Sequence, residues 1–112
     1  MKSNKRPIII IKTTYPNEDL AKEISQRLLE KRYIACAQIS GPINSYYHWN
    51  DHIESSKEYT VEMKAPLTHY EGIQTIILEH HPYDIPEIYS IKSDSLSNDY
   101  QQWVYTSCQT SS

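Results

Sequence analysis

The residues best suited to chemistry lie close together between His80 and Ile88, in the segment HHPYDIPEI. Its imidazoles and carboxylates offer the nitrogen and oxygen ligands that suit a borderline divalent metal such as copper or zinc. Pro82 disfavours a helix that continues past His81, and the β-favouring residues after it predict a strand. Because a helix-to-strand corner of this kind can bring His81 near Glu87, the segment predicts a metal site.

A purely structural explanation of the same segment stays open. His80 and His81 are placed to cap the negative end of a helix, and Asp84 and Glu87 are ordinary polar residues of a turn. Residue types alone leave both the metal site and the capped turn as interpretations.

Two elements with clear signatures precede this segment. Ile8 to Ile11 is an unbroken isoleucine run, which predicts a strand that is buried on both faces. Asn17 is a good N-cap, and apolar residues recur at helical spacing from Leu20 to Leu28. In so small a protein, the second face of the first strand would be covered by helices or by a partner subunit.

The middle of the chain predicts an antiparallel hairpin. Tyr33 to Ser40 and Ile43 to Trp49 predict strand on either side of a bulge at Gly41-Pro42, and Asn50 to Lys57 predicts a polar hairpin loop. Glu58 to Lys64 alternates and pairs with the preceding strand. Of its residues, those predicted to face inward are Tyr59, Val61 and Met63, and those predicted to face solvent are Glu58, Thr60, Glu62 and Lys64.

Two further helices complete the pattern. Thr68 and Glu71 have the spacing of a capping box ahead of a helix that runs into the histidine pair, and Tyr100 to Ser107 predicts a short C-terminal helix. The order βαββαβ predicts one α+β domain over residues 1–112, with a ferredoxin-like antiparallel sheet and two helices on one face. Because such a sheet leaves its other face open, the doubly apolar first strand predicts an oligomer.

Composition excludes several classes of function. The chain has 112 residues, a formal net charge of −3 and no apolar run near the roughly 20 residues of a membrane span, so neither nucleic acid nor membrane is expected as a partner. Cys36 and Cys108 are the only cysteines, which favours a cytoplasmic setting over a disulfide framework. The ten Tyr and two Trp suit either subunit contacts or half-buried sheet positions.

Several segments resemble the CutA divalent-cation tolerance proteins. The order and spacing of ACAQ, YxW and HPYxxPE are far more specific than any one motif, and the likeness covers nearly the whole chain. It implies a ferredoxin-like fold that assembles as a homotrimer similar to the nitrogen-regulatory PII proteins. The residues that carry it are Thr13, Ala35-Cys36-Ala37-Gln38, Ser45-x-Tyr47-x-Trp49, Glu58, Lys64, His81-Pro82-Tyr83-x-x-Pro86-Glu87 and Tyr100-x-x-Trp103.

The resemblance also implies a role in tolerance of copper and other divalent metals. It implies His81 as a copper ligand, with Glu87 as a second ligand. Lys12 stands where some members have a cysteine, so a site here would lack that thiolate. The candidates for a ligand pocket or for intersubunit contacts are Cys36, Tyr47, Trp49, Lys64, Tyr83 and Trp103. All of them except Lys64 also have a plain packing explanation.

The expected function is a non-enzymatic trimeric module that binds a divalent metal such as copper. The alternatives are a PII-like signalling module for a small ligand and a scaffold that anchors another protein. An acylphosphatase would need a glycine-containing phosphate loop after the first strand, but the only glycines are Gly41 and Gly72. We also find no nucleophile and base in a recognisable arrangement, so no enzymatic activity is expected.

Overall fold

The computed structural model describes residues 6–109, which form one antiparallel sheet with helices on both faces. The elements are β1 (Ile8–Tyr15), α1 (Glu18–Glu30), β2 (Cys36–Trp49), β3 (His52–Pro66), a 3-10 turn (Leu67–His69), α2 (Tyr70–His80), β4 (Ile88–Lys92) and α3 (Asn98–Ser107). The strand order is β2-β3-β1-β4, and all three neighbouring pairs are antiparallel. The predicted ferredoxin-like sheet is therefore confirmed.

The main core lies between the sheet and helices α1 and α2. Side chains of β1 and β3 that point to this face are fully buried, including Ile9, Ile11, Val61 and Met63. Removing an isoleucine side chain of this kind from water contributes about 1.5–3 kcal/mol to folding. The alternation predicted for β3 is thus confirmed for Val61 and Met63, whereas Tyr59 is only partly buried.

Strands β2 and β3 form a hairpin much longer than predicted. Residues 43–58 pair only with one another, so this part of the hairpin, which we call the arm, extends beyond the rest of the sheet. The polar loop expected over Asn50 to Lys57 is wrong, because only Asn50 and Asp51 lie between the paired residues Trp49 and His52. Both loop residues have positive φ, 51° and 63°, which is typical of a type I′ turn.

A bulge at Gly41-Pro42 separates the arm from the base of the hairpin, as predicted. The pairing register shifts between Ser40 and Ile43. Gly41 has φ of 146°, and a Cβ there would lie 2.9 Å from the carbonyl oxygen of Glu58. Only glycine combines that backbone angle with so close an approach.

The helices begin differently from one another. The side chain of Asn17 accepts a hydrogen bond from the backbone N–H of Leu20, which confirms the predicted N-cap of α1. The predicted capping box of α2 is wrong. A 3-10 turn comes first, and neither that turn nor α2 has a side-chain cap. The chain therefore enters α2 directly from the 3-10 turn, without a capping side chain.

Helix α3 lies on the sheet face opposite the main core. Cys36, Lys64 and Ile10 are opposite one another across β2, β3 and β1 and so share that face, and the Tyr100 hydroxyl of α3 lies 3.9 Å from Cys36 Sγ. The face that was predicted to be open is therefore partly covered from within the chain. Across residues 6–109, no helix has the length and apolar character needed to cross a membrane.

Candidate functional site

A broad groove lies where the arm meets the loop between α2 and β4. Its volume is about 980 Å³. One wall comes from arm residues 45–49 with Glu54 and Glu58, and the other comes from residues 82–87. The bulge at Gly41 starts the arm beside this loop, and Pro82 ends α2 early enough for the loop to form the second wall.

Glu58 is the polar centre of this groove. Its carboxylate accepts hydrogen bonds from the hydroxyls of Ser45 at 2.7 Å, Tyr83 at 2.8 Å and Thr14 at 3.4 Å. The residue is only 7% exposed, so the prediction that Glu58 faces solvent is wrong. Because a buried carboxylate is costly unless it is hydrogen-bonded, these three bonds explain how it is tolerated.

His81 is held next to this network by both of its ring nitrogens. Nε2 lies 2.7 Å from the carbonyl oxygen of Thr14, which only accepts, so Nε2 carries the proton. Nδ1 accepts from the backbone N–H of Tyr83 at 3.2 Å, so it carries none. The ring is therefore a neutral imidazole, which agrees with a pKa that burial lowers despite the opposing effects of the Thr14 bond and the Glu58 charge.

Aromatic rings enclose His81 on two sides. Its ring stacks on Tyr15 with centroids 4.3 Å apart and lies 4.9 Å from the ring of Tyr83 at a tilt. Burial raises the pKa of Tyr83, and its hydrogen bond to Glu58 raises it further, so this phenol stays protonated and continues to donate. The position of His81 is thus fixed by packing as well as by hydrogen bonds.

Among residues 6–109, the structure has no group of three or more His, Cys, Asp or Glu side chains arranged to hold a metal ion. Glu87 lines the groove, with its Oε2 3.9 Å from Nζ of Lys12. His81 has both nitrogens in hydrogen bonds, so it would have to give up one of them to bind a metal. Whether His81 and Glu87 act as ligands stays a prediction.

The six residues predicted for a pocket or for subunit contacts divide into two groups. Tyr47, Trp49 and Tyr83 line the groove. The other three lie elsewhere. Cys36 and Lys64 are paired across the base of the hairpin, and Trp103 stacks on Tyr100, which contacts Cys36. Burial, together with the hydrogen bond to Cys36, raises the pKa of Tyr100 to about 12.

Sequence analysis missed Thr14 and Ser45 as groove residues and misplaced Glu58. A usable signal existed in the hairpin register, since Ile43 pairs with Glu58 and Ser45 with Ser56. In that register, Ser45 lies two residues after the partner of Glu58 on β2, so its side chain comes within reach of the Glu58 carboxylate. Residues 50–57 of the arm were predicted as a loop rather than as paired strand, so this register was not considered.

Comparisons with known proteins agree with this architecture. The sequence model of the family described as CutA1 divalent ion tolerance protein matches residues 9–107. A relative described as a probable divalent-cation tolerance protein cutA homolog, from Encephalitozoon cuniculi, is 36% identical over 100 residues, which are 89% of this chain and 86% of the relative.

Solved structures show the same fold. The crystal structure of divalent ion tolerance protein CutA1 from Ehrlichia chaffeensis has a TM-score of 0.90 at 32% identity, covering 96% of this chain and 100% of that one. A protein from Archaeoglobus fulgidus, described as periplasmic divalent cation tolerance protein CutA, has a TM-score of 0.88 at 26% identity, covering 91% of this chain and 99% of that one.

Proposed function

The chain belongs to the CutA1 divalent ion tolerance protein family, and we propose that it binds a divalent cation reversibly in its groove. It does so as an assembly of three copies and turns over no substrate. The family name describes tolerance of divalent ions, and the groove offers a physical route to it.

The observation that carries this proposal is the charge of the groove. Four carboxylates line it, Glu54, Glu58, Asp84 and Glu87, and neither lysine nor arginine is among its described lining residues. A cleft lined with one sign of charge concentrates ions of the opposite sign. Carboxylate oxygens with an imidazole nitrogen nearby suit copper or zinc.

We propose two ligands, Glu87, which lines the groove, and His81, which lies next to the Glu58 network but is not among the described lining residues of the groove. Glu87 is exposed, and its 3.9 Å ion pair with Lys12 is a surface contact that contributes at most about 1 kcal/mol. His81 becomes a ligand when the hydrogen bond from the Tyr83 backbone N–H to Nδ1 opens. Because Nδ1 carries no proton, its electron pair is then available to the metal. The need to open that bond makes the proposed affinity modest and the binding readily reversible.

The proposed trimer rests on exposed apolar residues. Tyr46 and Ile53 on the arm are each 74% exposed, and Ile91 on the edge strand β4 is 56% exposed. Apolar surface of this kind, on a long arm and at a sheet edge, is typical of an interface between subunits. An arm that contacts a neighbouring copy would also bring its groove next to that copy.

Two further parts of the proposal have local support. The imidazoles of His69, His80 and His81 are hydrogen-bonded to backbone carbonyls rather than to a hydroxyl or thiol that they could activate, which favours binding over catalysis.

Cys36 and Cys108 are free thiols, which favours a reducing, cytoplasmic location.

A second candidate function is binding of a small organic ligand in the same groove. The walls carry the aromatic rings of Tyr47, Trp49 and Tyr83, and a volume of about 980 Å³ is within the range of small-molecule sites. A PII-like signalling role would use such a ligand. A scaffold role would instead use the exposed arm.

Calorimetric titration of Cu²⁺ into the wild type, Glu87→Gln and His81→Ala tests the metal proposal. We expect each substitution to remove one copper per chain or to weaken its binding at least tenfold, because each removes a ligand. Glu79→Gln is the control, since Glu79 is an exposed acid that does not line the groove. If Glu79→Gln has the same effect as Glu87→Gln, or neither groove variant has any, the proposal is wrong.

A further inference from the structure

A second, smaller cavity lies between α1 and the end of α2. Its volume is about 90 Å³, enough for an ion with a few waters, since a water takes about 30 Å³ in the liquid. It is separate from the groove, and the function proposed above does not use it. Its lining residues are Tyr15 from β1, Leu20, Glu23, Ile24 and Arg27 from α1, and His80 from α2.

Within residues 6–109, the hydroxyl of Tyr15 has no hydrogen-bond partner, although the residue is only 1% exposed. Leaving such a group unpaired costs about 1–3 kcal/mol, so it calls for an explanation. Burial raises the pKa of this phenol, and the charge of Glu23 raises it further. Glu23 also lines the cavity, so a carboxylate is available on the same side of the protein.

His80 lines the same cavity, and only one of its ring nitrogens has a hydrogen bond among the described residues. Its Nδ1 lies 3.0 Å from the carbonyl oxygen of Ile76, which only accepts, so Nδ1 carries a proton. The neutral ring therefore has its electron pair on Nε2, which has no hydrogen bond to any of residues 6–109. Metal-binding histidines are usually oriented in this way, with the other ring N–H donated to a carbonyl. His81 differs, because both of its nitrogens are in hydrogen bonds.

We propose that Glu23 and His80 bind a borderline divalent cation such as Cu²⁺ or Zn²⁺ in this cavity, with the Tyr15 hydroxyl donating a hydrogen bond to a water on the cation. One nitrogen and one carboxylate are a donor set that these ions accept. With only two protein ligands, water fills the remaining positions and the ion exchanges freely. The hydroxyl thereby gains the partner that it otherwise lacks.

Arg27 gives this proposal a distinctive signature. Arg27 also lines the cavity, and a positive charge near a bound cation lowers the affinity for that cation. Replacing Arg27 with glutamine should therefore strengthen binding, whereas replacing either proposed ligand should weaken it. Copper bound at a histidine elsewhere on the surface would not show these opposite effects.

Cu²⁺ titration of the full-length chain, followed by calorimetry and by electron paramagnetic resonance, tests the proposal. All variants carry Glu87→Gln, so that the outcome does not depend on the groove site. We expect His80→Ala and Glu23→Gln each to weaken copper binding at least tenfold, and Arg27→Gln to strengthen it two- to fivefold. His80→Ala should also remove the nitrogen coupling from the spectrum, and Tyr15→Phe should weaken binding less than either ligand variant.

His69→Ala is the matched control. Its Nδ1 is also 2.9 Å from a backbone carbonyl, that of Tyr33, but His69 lines neither the cavity nor the groove. It should leave affinity and spectrum unchanged. Equal losses in His69→Ala and His80→Ala, or wild-type affinity in Glu23→Gln, would overturn the proposal. Glu23 is exposed on α1, so its variant stays informative if His80→Ala fails to fold.

Discussion

The groove and the small cavity are lined by neighbouring residues of β1, Thr14 and Tyr15, yet their polar groups are satisfied to very different degrees. On the groove side, Glu58 accepts three hydroxyl hydrogen bonds, and both nitrogens of His81 are bonded. On the cavity side, the Tyr15 hydroxyl has no partner, and His80 uses one nitrogen. A closed network fixes structure, whereas unpaired groups beside a cavity leave capacity for a ligand.

Residues adjacent in sequence are divided between these two regions. Thr14 and Tyr15 point to opposite faces of β1, because side chains alternate along a strand. His80 is the last residue of α2, whereas His81 is already extended, with ψ of 137° ahead of Pro82. The two histidines therefore face different surroundings, and the contrast can be tested by matched substitutions.

Replacing Glu58 with alanine should have the largest effect on stability. It leaves three hydroxyls without their acceptor and opens space in a buried position, which we expect to cost about 3 kcal/mol. Glu62→Ala on the same strand is the control, since Glu62 makes only a 3.9 Å ion pair with Lys64, and it should change stability by less than about 0.5 kcal/mol. Chemical unfolding at one fixed protein concentration measures both, and equal losses would contradict the structural role of the network.

Removing one hydroxyl from each region should give opposite results. Tyr83→Phe removes a 2.8 Å hydrogen bond to a carboxylate and should destabilise the metal-free protein by about 1.5–2 kcal/mol. Tyr15→Phe removes a buried hydroxyl that has no partner, so it should be neutral or stabilise the protein by up to about 1 kcal/mol. Thermal unfolding in the presence of a chelator compares the two. A loss in Tyr15→Phe as large as that in Tyr83→Phe would mean that the two regions do not differ.

Removing one cation from each region should have a smaller effect, on copper affinity rather than on stability. Lys12→Gln should strengthen binding in the groove, because its ammonium lies 3.9 Å from Glu87. Arg27→Gln should strengthen binding in the cavity. Each change should be about two- to fivefold in low salt, which corresponds to the usual size of an exposed charge interaction, and should shrink at high salt through screening. Calorimetry at two salt concentrations measures it, and a gain that is independent of salt would contradict an electrostatic cause.

Much of the fold could be predicted because it depends on local pattern. The alternation around Val61 and Met63 and the cap at Asn17 both act within a few residues. The arm could not be predicted in the same way. Residues 52–57 of β3 pair only with β2 and bury no apolar face, so their sequence lacks the alternation that identifies a half-buried strand.

The site depended on contacts that no local pattern contains. Glu58 alternates like a solvent-facing residue, but its partners Ser45 and Tyr83 are 13 and 25 residues away. The chemistry of His81 is set by a carbonyl 67 residues distant. The sequence identified the histidine pair as chemically important, but the free electron pair of each ring depends on which carbonyl the folded chain brings to it.

Native mass spectrometry with added copper tests the account most directly, because one spectrum gives both subunit number and bound metal. The variants needed are the wild type, His80→Ala, Glu87→Gln and the double variant. We predict trimers that carry, above nonspecific background, two coppers per chain in the wild type, one in each single variant and none in the double variant. Monomers, or a wild-type copper count in His80→Ala, would contradict the account.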